Sequence, residues 1–230
     1  MPDEPQLPLS ISPATARLPA RLVPMQPETA IAPFDDAGYL FEPWWPGVRG
    51  IAYVEGGRTR LAVEGLTDAD AAFPEVGIEL PERLRADGVI MDGFLVVLDR
   101  EGRLDPALLR ARLAGGRRGG RAAFVASDLP WCDGREWTRR RFAARRERLE
   151  AVLEEGDRCV VGRAFRTDGT LLAEALRPMG IPGMSARRLD ARYRAGNAGD
   201  AWLRVPIVAD APPAEPPRLA LIQRLPLDRD

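Results

Sequence analysis

The chain of 230 residues contains no lysine and no histidine, so all 33 of its basic side chains are arginines. Without these two residue types, no lysyl Schiff base and no lysyl or histidyl phosphoramidate can form. No imidazole is available to ligate a metal or to activate a serine or cysteine. The α-amino group of Met1 is the only primary amine in the sequence. Any covalent mechanism would therefore depend on a hydroxyl, a thiol or a carboxylate.

Cysteine and long apolar runs are also scarce. Cys132 and Cys159 lie far apart and form no CxxC pair, which favours two buried free thiols over a disulfide framework or a zinc site. No apolar run approaches the roughly 18 residues of a membrane helix. The acidic, proline-rich start, MPDEPQLPLS, lacks the basic and apolar regions of a signal peptide. We therefore predict a cytoplasmic protein.

The remaining composition is that of a globular protein, with 45% hydrophobic and 29% charged residues and a net charge of −1. A chain of this kind can bury one sizeable core. The density of proline predicts an extended N-terminal arm over residues 1–33 and a folded body over 34–208. Residues 209–230 are predicted to form a proline-rich linker and a short apolar tail.

Local patterns predict a mixture of strands and helices in the body. Glu55-Gly56-Gly57-Arg58 is typical of a β-hairpin turn, and a helix is expected from Asp68 to Arg85, broken at Pro74 and Pro81. Asp105 is expected to cap a second helix and Thr138 a third, arginine-rich helix. Strands are predicted over residues 88–99, 121–129, 159–165, 183–189 and 201–208, with a helix near 171–177.

Five stretches of the chain follow one another in a recognisable order. PFDDAGYLFEPWWPGVRGIAYV (33–54) precedes Asp92-Gly93, FVASDLPWCDG (124–134), GIPGMSARRLDARY (180–193) and WLRV (202–205). In this series, residues 23–207 resemble the adenylation domain of bacterial ATP-dependent DNA ligases, particularly those of nonhomologous end joining. The resemblance implies one α+β domain of the ATP-grasp-like nucleotidyltransferase type, with two packed, mostly antiparallel sheets and flanking helices.

The resemblance also implies ATP and Mg²⁺ as cofactors and a lysine that attacks the α-phosphate of ATP. Here Trp44 stands at the position of that lysine, and an indole N–H can only donate a hydrogen bond. Pro46, Phe94 and Pro182 stand where the family has carboxylates, and Ser127 stands where a ring stacks on adenine. The implied nucleotide cleft is formed by Glu42, Trp44, Arg49, Phe94, Ser127, Arg187 and Arg204.

These replacements predict a catalytically inactive, degenerate member of the family, with no catalytic residue, no metal site and no bound cofactor. We expect a binding module whose partner is DNA or a DNA-repair protein. Residues 207–230 are too few for the OB-fold domain that follows in the family. Two alternatives are an active ligase or nucleotidyltransferase with a displaced nucleophile, and a small-ligand-binding domain that uses the remodelled cleft.

Two arginine-rich stretches are candidates for nucleic-acid contact. The first, residues 135–148, has seven arginines, and its apolar stripe favours a helix with a solvated arginine face. The second lies within residues 187–204. The candidate contacts are Arg139, Arg140, Arg187, Arg188, Arg192 and Arg194. We interpret Trp44 and Phe94 as core side chains that fill the former cleft, and Asp92 and Asp128 mainly as turn and hydrogen-bonding residues. Residues 115–121, GGRRGGR, are expected to form a loop.

Overall fold

A computed structural model describes residues 17–116, 119–208, 213 and 215–225, and these residues form two facing β-sheets with flanking helices. In chain order the elements are β1 (Met25–Gln26), β2 (Glu28–Thr29), β3 (Asp36–Pro43), β4 (Val48–Glu55), β5 (Arg58–Val63), α1 (Ala69–Ala72), α2 (Pro74–Arg83), β6 (Val89–Leu98), α3 (Pro106–Leu113), β7 (Arg121–Cys132), β8 (Arg135–Glu136), α4 (Phe142–Val152), β9 (Cys159–Val161), β10 (Phe165–Thr167), α5 (Gly169–Leu176), β11 (Gly183–Arg188), β12 (Gly196–Asn197), β13 (Trp202–Pro206) and α6 (Leu219–Ile222). Short 3-10 helices span Arg177–Met179 and Gly199–Ala201.

The larger sheet has the strand order β5-β4-β6-β7-β8, with β9 added to β7 in parallel. The smaller sheet has the order β10-β3-β11-β13-β2, and β1 pairs separately with β12. Seven of the ten strand pairs among the described residues are antiparallel. This architecture confirms the predicted α+β fold of two packed, mostly antiparallel sheets with flanking helices.

The larger sheet is covered on both faces, and strand β6 shows how. All ten of its residues are buried. Met91, Leu95 and Val97 belong to the core beneath the helices, whereas Phe94 and Val96 face the smaller sheet. Successive side chains of a strand point to opposite faces. The apolar side chains of β6, on either side of Asp92 and Gly93, therefore serve two separate cores.

Two turn and cap signals act as predicted. Gly56 and Gly57 have φ angles of 56° and 72°, the left-handed region that a tight hairpin turn requires and that glycine enters at little cost. Asp105 accepts hydrogen bonds from the amides of Ala107 and Leu108, both at 2.9 Å, and so caps α3.

Two predicted helix limits are wrong. Pro81 lies inside α2 and does not break it, because it deprives only the Gly77 carbonyl of a helical donor and the helix ends soon after, at Arg83. Helix α4 is preceded by Arg141 as its N-cap. Thr138, which was expected to cap α4, instead donates its hydroxyl to the carboxylate of Glu136.

The predicted strand over 159–165 is two strands in different sheets. Cys159–Val161 pairs with β7, whereas Phe165–Thr167 pairs with β3. The amide of Gly162 donates to the carbonyl of Ala126 at 2.8 Å. The chain then crosses from one sheet to the other.

The two terminal regions pack on the body where they are described. Met25 of the arm is buried, and Leu219, Ile222 and Leu225 of the tail are buried in the core between the sheets. The division at residues 34 and 208 stays a prediction, since these side chains share cores with the body. Arg117 and Arg118 of the expected loop lie outside the described residues.

Both cysteines are buried free thiols, as predicted. Burial raises the pKa of Cys132 to about 11 and that of Cys159 to about 12. No helix within the described residues is both long and apolar enough to traverse a bilayer.

Candidate functional site

The turn between β3 and β4 carries Trp44 and Trp45 and fixes their different environments. The Trp44 amide donates to the carbonyl of Gly183 at 2.9 Å, which ties the turn to β11. Gly47 approaches β6 so closely that a Cβ there would lie 2.5 Å from the Leu95 carbonyl oxygen. Trp45 is buried between the sheets with 1% exposure. Trp44 is half-buried, at the edge of the same core.

The indole of Trp44 lies in an aromatic group at this edge. It stacks on Trp202, with ring centroids 6.0 Å apart and planes at 28°. It also meets Phe94 edge to face at 5.2 Å. The guanidinium of Arg204 lies 4.9 Å from its centroid. These contacts support the interpretation of Trp44 and Phe94 as packing side chains.

Trp202 is the centre of this group and is completely buried. The guanidiniums of Arg49 and Arg187 lie 4.4 Å and 4.1 Å from its ring centroid, within the range of cation–π attraction. Its Nε1 donates to the hydroxyl of Ser185 at 2.7 Å. We call Arg49, Arg187, Arg204, Trp44 and Trp202 the arginine–indole stack.

Arg49 is held by a buried carboxylate. Its Nε donates to Asp92 Oδ1 at 2.9 Å, and a second nitrogen of the same guanidinium donates to Oδ2. Tyr193 donates its hydroxyl to Asp92 at 2.7 Å. Burial, reinforced by this carboxylate, raises the pKa of the Tyr193 hydroxyl well above its usual range. In the regular β4–β6 pairing Arg49 lies opposite Phe94 and Ile51 lies opposite Asp92, so the side chains of Arg49 and Asp92 are diagonal neighbours on one face of the sheet.

A second carboxylate, Asp128, is completely buried and forms ion pairs with two arginines. Arg145 grips it in a bidentate pair at 2.7 and 2.8 Å, and Arg187 Nη1 donates to Oδ2 at 3.0 Å. Burial acts to raise the pKa of this carboxyl, but the guanidiniums of Arg145 and Arg187 outweigh it and hold the pKa below its usual range.

Glu42 is the third buried carboxylate. Arg146 Nη1 donates to its Oε1 at 2.5 Å, and Arg187 Nε lies 3.9 Å from its Oε2. Its pKa is nevertheless raised, because the cost of burying the charge exceeds the attraction of these two arginines. The buried network thus comprises Glu42, Asp128, Arg145, Arg146 and Arg187, and Arg187 joins it to the arginine–indole stack.

The structure brings most of the predicted cleft residues together. Glu42, Trp44, Arg49, Phe94, Arg187 and Arg204 all belong to the buried network or the aromatic group, and Ser127 is buried in β7 beside Asp128. Pro46 lies in the β3–β4 turn, and Pro182 precedes β11. Asp92 and Asp128 are buried ion-pair partners, a stronger role than the turn and hydrogen-bonding role predicted for them.

Five grooves with volumes of 270 to 730 Å³ lie on the described surface. Trp44, Phe94 and Arg187 line none of these five. In the part of the chain that the structure describes, no three Asp, Glu or Cys side chains are grouped as metal ligands.

The candidate nucleic-acid contacts divide into two kinds. Arg187 is 3% exposed and paired inside the protein, so its assignment as a surface contact is wrong. Arg188 forms ion pairs with Asp190 at 3.1 Å and Asp200 at 2.6 Å, which occupy its guanidinium. The remaining four candidates are exposed: Arg139, Arg140, Arg192 and Arg194.

Sequence reasoning missed Arg145 and Arg146, which the solvated-face prediction for α4 placed outside. They lie three and four residues after Phe142, and Leu149 follows in the same stripe, the spacing of a single helix face. The signal was present in that spacing. Charged side chains are seldom fully buried, and these two are buried because each finds a buried carboxylate.

The fold and the order of the retained positions define a nucleotidyltransferase domain of the ATP-dependent DNA ligase type. No model of a protein family matches the chain. Comparison with solved structures gives a mycobacterial DNA ligase D complexed with ATP and MES, with a TM-score of 0.67 and 26% identity, covering 80% of this chain and 60% of that one.

Comparison with curated proteins gives multifunctional nonhomologous end joining proteins LigD. The protein from Mycolicibacterium smegmatis is 27% identical over 177 residues, 77% of this chain and 22% of its own length. The one from Pseudomonas aeruginosa is 32% identical over 170 residues, 73% of this chain and 20% of its own. The chain spans about a fifth of these relatives. Its homologues are thus the ligase domains of ATP-dependent DNA ligases of the nonhomologous end-joining type.

Proposed function

We propose that this chain is a non-adenylating homologue of the ligase domain that serves as a binding module in DNA repair. The observation that carries the proposal is the arginine–indole stack at the position where the family places its nucleophile. Adenylation needs a nucleophile with an available electron pair, and the indole of Trp44 has none at nitrogen. The chain contains no lysine that could act from a neighbouring position.

The groups that would hold a nucleotide are already used within the protein. Arg49 pairs with Asp92 and lies against Trp202, and Arg187 pairs with Asp128. Taking one partner from a buried ion pair costs about 3–5 kcal/mol, so a phosphate would have to replace these carboxylates. The residues present therefore do not fit ATP and Mg²⁺, and we assign no step through them.

The test of inactivity is covalent labelling. The purified protein is incubated with Mg²⁺ and ATP radiolabelled at the α-phosphate, then denatured and separated from free nucleotide. We expect no labelled protein, while an active ATP-dependent DNA ligase run in parallel becomes labelled. A stoichiometric adenylate on this chain would overturn the proposal and favour a displaced nucleophile.

The binding role rests on a group of exposed arginines that we call the arginine face. The segment before α4 lies beside the loop after β11. The amide of Phe142 donates to the carbonyl of Ala191 at 2.7 Å, and the amide of Tyr193 donates to the carbonyl of Thr138 at 2.9 Å. This pairing joins two stretches that the sequence separates by about 50 residues. The arginine face consists of the exposed side chains of Arg139, Arg140, Arg141, Arg192 and Arg194.

The arginine face is largely free of internal ion pairs. Among the described residues, only Arg139 of this set has a carboxylate within 4 Å, Glu136 at 3.7 Å. Free surface guanidiniums are suited to phosphate oxygens, and binding of this kind weakens steeply with salt. The net charge of −1 limits long-range attraction. These observations support DNA as the partner of this face, with moderate affinity.

The binding test uses anisotropy of a fluorescent duplex without a nick, at several salt concentrations and without ATP. We expect binding that the double variant R140E/R192E loses by about tenfold or more. R58E/R110E is the matched control, because it changes two exposed arginines elsewhere and shifts the net charge equally. An equal loss in both variants, or no salt dependence, would contradict the assignment of DNA to this face.

A further inference from the structure

Residues 22–30 cross the surface above Trp202. Their backbone pairs with this surface over fewer residues than a full strand of the sheet does. β1 pairs with β12 through two residues only, Met25 with Gly196 and Gln26 with Asn197. β2 pairs with β13 through two more residues. Both pairings are parallel, whereas the neighbouring strands of the small sheet are antiparallel. The rest of the chain therefore forms the surface along which this segment lies.

Side chains of the candidate site hold the main chain of this segment. The carbonyl of Met25 accepts a hydrogen bond from Arg49, and its amide donates to the hydroxyl of Tyr193 at 3.2 Å. Arg49 and Tyr193 are also the two partners of Asp92. Side chains that bind main-chain atoms recognise an extended backbone, not a particular sequence.

The main apolar anchor of the segment is Met25, which fills a pocket, and the half-buried Leu22 packs against the same cluster. The side chain of Met25 is 2% exposed and packs among Tyr193, Ala198, Ala201 and Trp202. Val23, two residues earlier, is 53% exposed. Pro24 and Pro27 flank the pocket residue and restrict the backbone to extended conformations, so that little entropy is lost on docking.

We propose that this surface is a binding site for an extended peptide in which prolines flank one apolar anchor, and that the chain occupies it with its own residues 22–30. Docking is reversible, and it controls access to Arg49, Tyr193 and Trp202. The inference is independent of the proposed function, because it concerns a non-covalent site that needs neither ATP nor DNA.

The direct test displaces the tethered segment and supplies it in trans. Met25→Asp removes the apolar anchor, and a fluorescent peptide copying residues 20–30 is then titrated against the variant and the native protein. The native protein should bind the peptide at least about tenfold more weakly, because its own tethered segment competes at a high effective concentration. Val23→Asp is the matched control and should behave as the native protein does.

A second peptide carries Asp in place of Met25 and should bind neither protein. The proposal fails if the Met25→Asp variant, shown by near-UV circular dichroism to be folded, binds the native-sequence peptide no better than the native protein does.

If Met25→Asp does not fold, hydrogen exchange of the unmodified protein tests whether residues 22–30 dock reversibly. The amides of Gly196 and Ala198 donate to the carbonyls of Pro24 and Gln26, at 3.1 and 2.9 Å. Reversible docking predicts that these two amides exchange together, well before those of the β6–β7 ladder. If they exchange only with global unfolding, the segment is an integral part of the fold and the proposal is wrong.

Discussion

The two sides of the large sheet bury different kinds of side chain. Under the helices, the core is built from apolar side chains such as Phe73, Leu80 and Phe124. Facing the small sheet, the apolar core borders the buried network, in which Glu42 and Asp128 are charged partners of arginines. An apolar core loses stability gradually as its atoms are removed. A buried ion network is stable only while it is complete.

The largest effect is expected from breaking the network at one partner. Arg145→Ala leaves Asp128 completely buried with Arg187 as its remaining cation, which should destabilise the protein by about 3–5 kcal/mol. Urea unfolding of this variant measures the loss. Asp128→Leu combined with Arg145→Met and Arg187→Met should recover most of it, since replacing a whole buried ion cluster by apolar groups is often close to neutral. A triple variant as unstable as the single one would show that packing around Arg145, not its charge, determines stability.

The matched change on the helical side is Leu80→Ala, at a fully buried position of α2. We expect a loss of about 2–5 kcal/mol from the missing contacts and the cavity that remains. Because no charge is involved, the loss should be the same at low and high salt and between pH 5 and 8. A clear dependence on pH would mean that the two cores are coupled.

Acid should act on the network through its carboxylates. The pKa of Asp128 is lower in the folded protein than in an unfolded chain, so its stabilising effect is complete above the unfolded value near 4 and is lost as the pH falls through the folded value. Asp128→Asn should therefore be less stable than the native protein at pH 7 but should lose less stability between pH 5 and pH 3.

The contribution of Glu42 to folding stability changes with pH in the opposite direction to that of Asp128. Its pKa is raised on folding, so its contribution is largest below its unfolded value and declines as the pH rises through the folded one. Glu42→Gln should therefore make stability between pH 5 and 7 less dependent on pH than in the native protein. Unfolding curves at each pH test both variants, and unchanged pH profiles would contradict the assigned ion pairs.

The smallest effect is expected at the surface. Arg188 pairs with Asp190 and Asp200, and all three side chains are exposed to water. Exposed ion pairs add little to stability because water and salt screen them. Arg188→Ala should leave the melting temperature unchanged within error in differential scanning calorimetry. A marked loss would show that Arg188 supports the small sheet in a way that its exposure conceals.

Sequence reasoning succeeded where periodicity and local rules determine the outcome. The hairpin at Gly56-Gly57, the cap at Asp105 and the buried strand β6 all follow from the chemistry of adjacent residues. The family resemblance supplied the topology, which periodicity does not contain.

It failed where a distant partner changes what a residue does. Arg145 and Arg187 carry the same charge as any surface arginine, and their burial depends on distant partners, above all Asp128, which lies 17 and 59 residues away. The predicted strand over 159–165 is instead the two strands β9 and β10, because their pairing partners lie in different sheets. Thr138 had suitable chemistry for a cap, yet α4 begins four residues later.

The near-parallel indoles of Trp44 and Trp202 have an optical consequence. With centroids 6.0 Å apart and planes at 28°, their electronic transitions couple, and coupled chromophores in a fixed twisted arrangement produce a pair of bands of opposite sign in far-ultraviolet circular dichroism. This couplet depends on the relative orientation of two particular rings and not on the content of helix or strand. The candidate site thus carries its own spectroscopic reporter, which needs no ligand and no label.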